Sequence, residues 1–348
     1  MPTKYKLLNL TQRINIPWRA LLSVPLFSFH LTAVELNTRS FDTLLSDEHF
    51  VGQVLITQGG KSIYYFEHTL NPIQGENENK GYLVGSISKQ FVAAAILRLV
   101  DSGKLTLDTR VNHLLTDENM SDAVLVRHLL DHSSGLSSPG KALAFEPGTD
   151  FTYSNYGYEL LGRVLESIQK KPLAEVLYSI SKQCGLSQTG AESFALVQGR
   201  VEDAEGHITS LPATAERPPL ASGGLVSRAR DLARWNTCLY GAALLSEESL
   251  SYMTSATQSR NHRWGALGYG AGIQISKTLP LEYSHSGYVP GFISTLNYFP
   301  VKDISMVVLE STSWHWSNIS RAFRFHDALR GQLLEQLQWP ISAHYSLN

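Results

Sequence analysis

Two cysteines in 348 residues exclude a disulfide-dense scaffold and a multi-cysteine metal centre. Cys184 and Cys238 match no metal or redox spacing; they permit one disulfide after export, and two buried free thiols fit equally well. The 12 histidines are scattered, with no His-Glu-x-x-His or paired ligand spacing, so no metal and no other cofactor is expected. A net charge of −2 leaves no footprint for nucleic acid, and the partner expected is a small-molecule or peptide substrate. No internal repeat or low-complexity tract occurs. Acids are missing before Glu35, whereas Lys4, Lys6, Arg13 and Arg19 precede an apolar run from Ala20 to Phe29 that is too short to span a bilayer. Residues 1–33 therefore read as a secretory signal peptide, although no clean Ala-x-Ala site follows, and the mature start is placed near Val34. The expected location is periplasmic or secreted, with membrane contact only through this segment if it stays uncleaved.

What remains is 43% apolar over the whole chain and near neutral, the composition of an enzyme-sized globular protein with one or two cores. Val51 to Gln58 and Ser62 to Glu67 are predicted strands joined by Gly59-Gly60, hence a hairpin. Phe91 to Val100, apolar apart from Arg98, predicts a buried helix. Helical runs then alternate with Gly, Ser and Pro loops: Ala123 to Leu130, Tyr156 to Gln169 and Pro172 to Gln183. Tyr269 to Ser276, Leu281 to Ser284, Phe292 to Phe299 and Ile304 to Leu309 are predicted strands. A closing helix repeats Ala322, Phe325, Leu329, Leu333 and Leu337 on one face, suited to lying on the sheet. Strands, then helices, then strands imply an α+β fold with an antiparallel sheet. The expected division is a sheet domain from 34–90 and 223–348, a mainly helical domain from 91–222, and an active site in the cleft between them.

The chemistry centres on Gly85-Ser86-Ile87-Ser88-Lys89-Gln90-Phe91. A serine hydroxyl needs a base beside it, and Lys89 falls one helical turn from Ser86 on the same face. Burial at the head of an apolar helix would disfavour the ammonium form of such a lysine. Ser-x-x-Lys occurs twice more, at Ser179–Lys182 on the polar face of a helix and at Ser138–Lys141 around a Pro-Gly turn, and neither setting suits a nucleophile. Tyr153-Ser154-Asn155 lies in a loop just before an apolar helix, so Tyr153 and Asn155 can lean into one cleft. His285-Ser286-Gly287 ends a predicted strand, with Gly287 removing a side chain where a substrate could lie against the strand edge.

Together these motifs resemble the serine β-lactamase and penicillin-binding superfamily, in the branch of class C β-lactamases, D-Ala-D-Ala carboxypeptidases, D-aminopeptidases and related esterases. Asp101-Ser102-Gly103-Lys104-Leu105-Thr106-Leu107-Asp108, Leu129-Leu130-Asp131-His132-Ser133-Ser134-Gly135-Leu136, Glu146-Pro147-Gly148 and Gly223-Gly224-Leu225-Val226-Ser227 extend the likeness in order and spacing over about residues 50 to 310. The resemblance implies Ser86 as the acylated nucleophile, Lys89 as its proton acceptor or relay, and Tyr153 as a second general base. Asn155 would hold a substrate amide or orient Lys89; His285, Ser286 and Gly287 would bind substrate; and the backbone N–H groups of Ser86 and Tyr288 would form the oxyanion hole. His132 is expected to pack or cap.

His285 stands where class C β-lactamases carry a lysine, which points towards carboxypeptidase-, aminopeptidase- and esterase-like members. A histidine is mostly neutral at pH 7.5, so uncharged esters and amides should do as well as anionic substrates unless an arginine elsewhere in the cleft compensates. No counterpart of the class A deacylating glutamate is seen. The leading expectation is an exported serine hydrolase acting through a Ser86 acyl-enzyme on a D-amino-acid peptide or a small ester or amide. A β-lactamase and a penicillin-binding or scaffolding protein without turnover are the alternatives. Loops such as Glu202 to Pro219 carry no readable substrate code.

Overall fold

The computed structural model describes residues 34–338 apart from 48, 71–79, 119, 192–194 and 213, so the segment read as a signal peptide lies outside the described residues. After helix α1 (Thr38–Leu45), strands β1 (Gly52–Gln58) and β2 (Lys61–His68) form the expected hairpin, with Gly59 and Gly60 both at positive φ in the turn. Helix α2 (Ser88–Asp101) follows, then α3 (Asn155–Gln169), α4 (Leu173–Gln183) and α5 (Ala229–Tyr240). The chain then builds β3 (Gln258–His262), β4 (Gly265–Tyr269), β5 (Gln274–Ser276), β6 (Tyr283–Val289), β7 (Phe292–Phe299) and β8 (Ile304–Glu310) before helix α6 (Arg324–Gln336). These strands make one antiparallel eight-stranded sheet in the order β2-β1-β8-β7-β6-β5-β4-β3. Its two ends come from distant parts of the chain, and β1 pairs with β8 to join them.

Strand alternation decides how the layers form, because successive side chains leave opposite faces. Ile304, Met306 and Val308 of β8 face Phe325, Leu329 and Leu333 of α6, while Val307 and Leu309 join the core beneath α2 and α5. The stripe predicted for the closing helix thus meets the sheet. Helix α2 is apolar almost all round and its residues from Ser88 to Leu97 are buried, as a central helix must be. Cys184 at the end of α4 and Cys238 in α5 form a disulfide, which resolves the two alternatives for the cysteines.

Two strands differ from expectation. The run from Tyr269 to Ser276 is broken between β4 and β5 at Gly270–Ile273, where Gly272 takes φ +72° and lies against α2; a Cβ there would come 2.9 Å from the Lys89 carbonyl oxygen. Strand β6 runs on to Val289, so His285-Ser286-Gly287 sits inside the strand and does not end it.

Beneath α6, buried His326 lies with Nε2 3.4 Å from Glu310 Oε2, and Trp314 Nε1–H donates to Glu310 Oε1 at 2.7 Å. Burial pushes Glu310 from 4.5 up to about 8, against the weaker pull of Arg324 and Arg200, and holds His326 well below the usual histidine range. A neutral acid therefore faces a neutral ring. Because the folded-state value lies above the unfolded one, this stability is complete below pH 4.5 and lost as pH rises towards 8. Glu310→Gln should flatten that decline: urea midpoints between pH 5 and 9 should fall less in the variant than in the wild type, and parallel curves would refute the assignment.

Candidate active site

Ser86 lies in a 3-10 turn, Gly85–Ile87, immediately before α2. The turn is pinned from three sides. Ser88 Oγ donates to the Gly85 carbonyl at 2.7 Å and accepts the Leu225 N–H at 3.2 Å, so the second serine of the motif is structural. Ser294 Oγ of β7 donates to the Val84 carbonyl at 2.7 Å. On the remaining side, Gly85 (φ +52°) meets Gly287 of β6 almost backbone to backbone. A Cβ on Gly85 would come 2.8 Å from the Gly287 Cα and 3.0 Å from the Tyr288 nitrogen, and one on Gly287 only 2.2 Å from the Val84 carbonyl oxygen. This contact needs glycine on both sides, and it brings the Tyr288 backbone beside Ser86.

Lys89 is fully buried, and its Nζ reaches Ser86 Oγ at 3.2 Å, Asn155 Oδ1 at 2.8 Å and the Ser222 carbonyl at 2.6 Å. Two of these partners only accept, so two N–H bonds are spent on them. The remaining tetrahedral position faces Ser86, where the ammonium presents an N–H and the free amine a lone pair. That geometry leaves one position of the Lys89 nitrogen aimed at one hydroxyl. The Ser222 carbonyl is backbone and carried no side-chain signal in the sequence.

Asn155 is placed by the cap of α3, whose Ser154 side chain accepts the Gly157 N–H at 3.0 Å. Tyr153, on the other side of the cap, has its hydroxyl buried and without a hydrogen-bond partner among the described residues. Lys89 Nζ stands 4.9 Å and the Arg260 guanidinium carbon 5.1 Å from its ring centroid. A cavity of about 560 Å³ opens here, lined by Ser86, Tyr153, Asn155, His285, Ser286, Gly287 and Tyr288. The structure thus gathers every sequence-nominated site residue around one space, with Lys89 just behind its wall. The other two Ser-x-x-Lys copies lie elsewhere: Ser179 and Lys182 are exposed on α4, and Lys141 is exposed beyond the Pro-Gly turn.

The cavity also holds Arg260, His262 and Arg263, which the sequence reading did not nominate, and among the described residues no Asp or Glu lines it. Arg263 is spent, with Nε on Asp327 at 2.8 and 3.1 Å and Nη2 on Ser286 Oγ at 3.1 Å. Arg260 has no carboxylate partner among the described residues, and its guanidinium carbon lies 5.1 Å from the ring centroid of Tyr153 and 5.9 Å from that of Tyr269. Burial and the neighbouring arginines bring His262 down to about 3, so it adds no charge at neutral pH. His285 is also neutral, held well below the usual range by burial and then by the Lys89 and Arg260 charges. Both its ring nitrogens have partners, the Tyr269 hydroxyl and the Ser286 carbonyl, and neither is Tyr153.

A partly exposed serine backed by a buried lysine, on a turn wedged against an antiparallel strand, is an arrangement of the serine hydrolase class. The chain belongs to the beta-lactamase family, whose model matches residues 39–322. A Bacillus subtilis penicillin-binding protein is 25% identical over 298 residues, 72% of this chain and 66% of that protein, so the chain spans just under two thirds of this relative. Among solved structures, a D-amino acid amidase from Ochrobactrum anthropi SV3 aligns with TM-score 0.72 at 20% identity, covering 86% of this chain and 98% of that one. A penicillin-binding protein from Bacillus halodurans aligns with TM-score 0.70 at 22% identity over 84% and 99%. These two likenesses concern the fold.

Proposed function

We propose that the protein is a serine hydrolase that works through a Ser86 acyl-enzyme on D-amino-acid peptides or related amides and esters carrying a carboxylate. The observation that carries this reading is the Lys89 geometry: a buried amine with two positions tied to carbonyl oxygens and the third directed at Ser86 Oγ. Ser86 Oγ attacks the substrate carbonyl while its proton passes to the Lys89 and Tyr153 pair. The backbone N–H groups of Ser86 and Tyr288 receive the developing oxyanion. The leaving amine or alcohol departs with that proton, and water, deprotonated by the same pair, then releases the acid and restores Ser86. The names of the relatives, a penicillin-binding protein and a D-amino acid amidase, support amide chemistry on D-configured or β-lactam compounds.

Arg260 supports the anionic substrate. The neutral His285 offers no charge to a carboxylate, whereas Arg260 has no carboxylate partner among the described residues and lies on the wall of a cavity that no described Asp or Glu lines. Arg260→Gln is expected to lower kcat/KM about 10- to 100-fold on a D-Ala-terminated peptide, the range of one charged hydrogen bond, and less than about threefold on a neutral nitrophenyl ester. Equal losses on both substrates would remove Arg260 from the carboxylate site. The reading as a whole is tested by incubating purified protein with a D-Ala-D-Ala peptide, D-amino acid amides, short-chain nitrophenyl esters and nitrocefin. Turnover of nitrocefin above all others would favour a β-lactamase, and stable acylation without release a penicillin-binding protein. The Cys184–Cys238 disulfide supports export, because structural disulfides persist in oxidising compartments.

A further inference from the structure

Behind the cavity, three buried side chains from separate parts of the chain form an unbroken series of hydrogen bonds. The Ser154 N–H donates to His132 Nδ1 at 3.2 Å; His132 Nε2 and the Tyr269 hydroxyl are 3.1 Å apart; the Tyr269 hydroxyl and His285 Nε2 are 3.0 Å apart; and His285 Nδ1 lies 2.9 Å from the Ser286 carbonyl. Both ends are fixed by chemistry, since a backbone N–H only donates and a carbonyl only accepts. His132 must accept at Nδ1, so as a neutral ring it carries its proton on Nε2 and donates to Tyr269. His285 must donate at Nδ1, so its Nε2 is an acceptor and takes the Tyr269 O–H. Every proton then points the same way, and no donor or acceptor of the three side chains in the series is wasted.

The series spans the two halves of the site. His132 sits in a turn at φ +63°, and its carbonyl also accepts the Thr152 N–H at 3.0 Å, so its backbone and ring both hold the loop that carries Tyr153. Its ring centroid is 4.2 Å from that of Tyr153. At the far end, Ser286 precedes Gly287 and Tyr288, the strand segment wedged against Ser86. The charged groups facing the two rings are Lys89 from α2 and Arg260 from β3, both positive, with Tyr153, Tyr158 and His262 the other titratable neighbours. Asp131 gives its oxygens to Ser133 and Thr257. A proton added to either ring would meet two cations and a donor already in place.

We propose that His132 and Tyr269 are positioning residues: with His285 they form a one-directional hydrogen-bond relay that locks the Tyr153–Asn155 loop to the strand bearing Gly287 and fixes His285 as a neutral Nδ1–H tautomer with both nitrogens occupied. His285 therefore shapes the strand and exchanges no proton with the substrate. Burial and the Lys89 charge hold both imidazoles well below the usual histidine range, in keeping with this arrangement. The kinetic part of the proposal rests on the Ser86 reading; the spectroscopic part does not, so the two fail separately.

Imidazole 15N spectra of the full protein supply the test. The wild type should show His132 as the Nε2–H tautomer and His285 as the Nδ1–H tautomer, neither titrating between pH 5.5 and 8.5. Tyr269→Phe keeps the ring and removes the hydroxyl; His285 should then keep its Nδ1–H on the Ser286 carbonyl while its Nε2, left without a donor, shifts its 15N resonance towards that of a free acceptor nitrogen. On whichever substrate is turned over, kcat should fall roughly 10- to 100-fold with KM within about threefold, the scale of a displaced supporting group. His132→Gln combined with Tyr269→Phe should lose no more than the worse single variant, because a relay broken once is already broken. An Nε2–H tautomer for His285 in the wild type, or titration of either ring in that window, would overturn the proposal even if Tyr269→Phe failed to fold. Unchanged spectra in the variant, or additive losses, would do the same.

Discussion

Ser86→Ala should lower kcat by about four to six orders of magnitude, the loss seen when a serine nucleophile is removed, and leave unfolding stability within about 1 kcal/mol. The stability half of this expectation follows from the local contacts. Ser86 is only partly buried and the hydrogen bond of its Oγ goes to Lys89, while the turn is held by Ser88, Ser294 and the Gly85–Gly287 contact. Deleting the hydroxyl opens no core cavity. A covalent probe makes the result decisive: after treatment with a fluorophosphonate or a penicillin, mass spectrometry should place the adduct on the peptide carrying Ser86 and find none in the alanine variant. The competing serines lack the setting. Ser179 is exposed on α4 with Lys182 exposed beside it, and Ser138 enters a turn whose Lys141 is exposed. An adduct on either would end the mechanism, and retained turnover in Ser86→Ala would do so without any probe.

How far the chain could be read in advance depended on whether side chains or backbone carried the information. The β1–β2 hairpin, the buried α2 and the stripe of α6 were legible because each follows from apolar spacing and a turn signal. Strand β3, Gln258–His262, was not, since all five of its residues are polar and it lies at the sheet edge, where no hydrophobic alternation is required. Arg260 and His262 were missed with it. The break at Gly270–Ile273 went unread for a different reason: Gly272 is there so that a loop can touch the α2 backbone at Lys89, a tertiary demand with no local trace. The Ser222 carbonyl that anchors Lys89 is likewise invisible to any reading of side chains. His132 stood in a recognised motif and was expected only to pack or cap; its ring does support the loop before α3, but its second nitrogen reaches Tyr269, and no spacing in the sequence relates those two positions.

Lys89 and Tyr153 should behave as one unit, and the structure separates their costs to stability in a way that makes the experiment clean. Lys89→Met leaves the Asn155 and Ser222 oxygens without the donor they now share, so it should destabilise the fold by roughly 1–3 kcal/mol for each stranded acceptor as well as remove the base. Tyr153→Phe is the opposite case. The Tyr153 hydroxyl is already buried with no hydrogen-bond partner among the described residues, so deleting it strands none of them and should leave stability unchanged or raise it by about 1 kcal/mol. A polar group kept buried in this way, with the Lys89 nitrogen and the Arg260 guanidinium over its ring, is what a group awaiting substrate looks like. Activity should not follow stability. Each single variant is expected to lose about 10⁴-fold in kcat/KM, and the double variant about the same, because removing either member already disables proton transfer from Ser86. Urea unfolding and steady-state kinetics on the four proteins give both axes of the comparison. Additive losses, near 10⁸-fold in the double variant, would assign the two residues to separate steps. Full activity in Tyr153→Phe would leave Lys89 as the sole base, with the third position of its nitrogen, directed at Ser86, carrying the whole proton transfer.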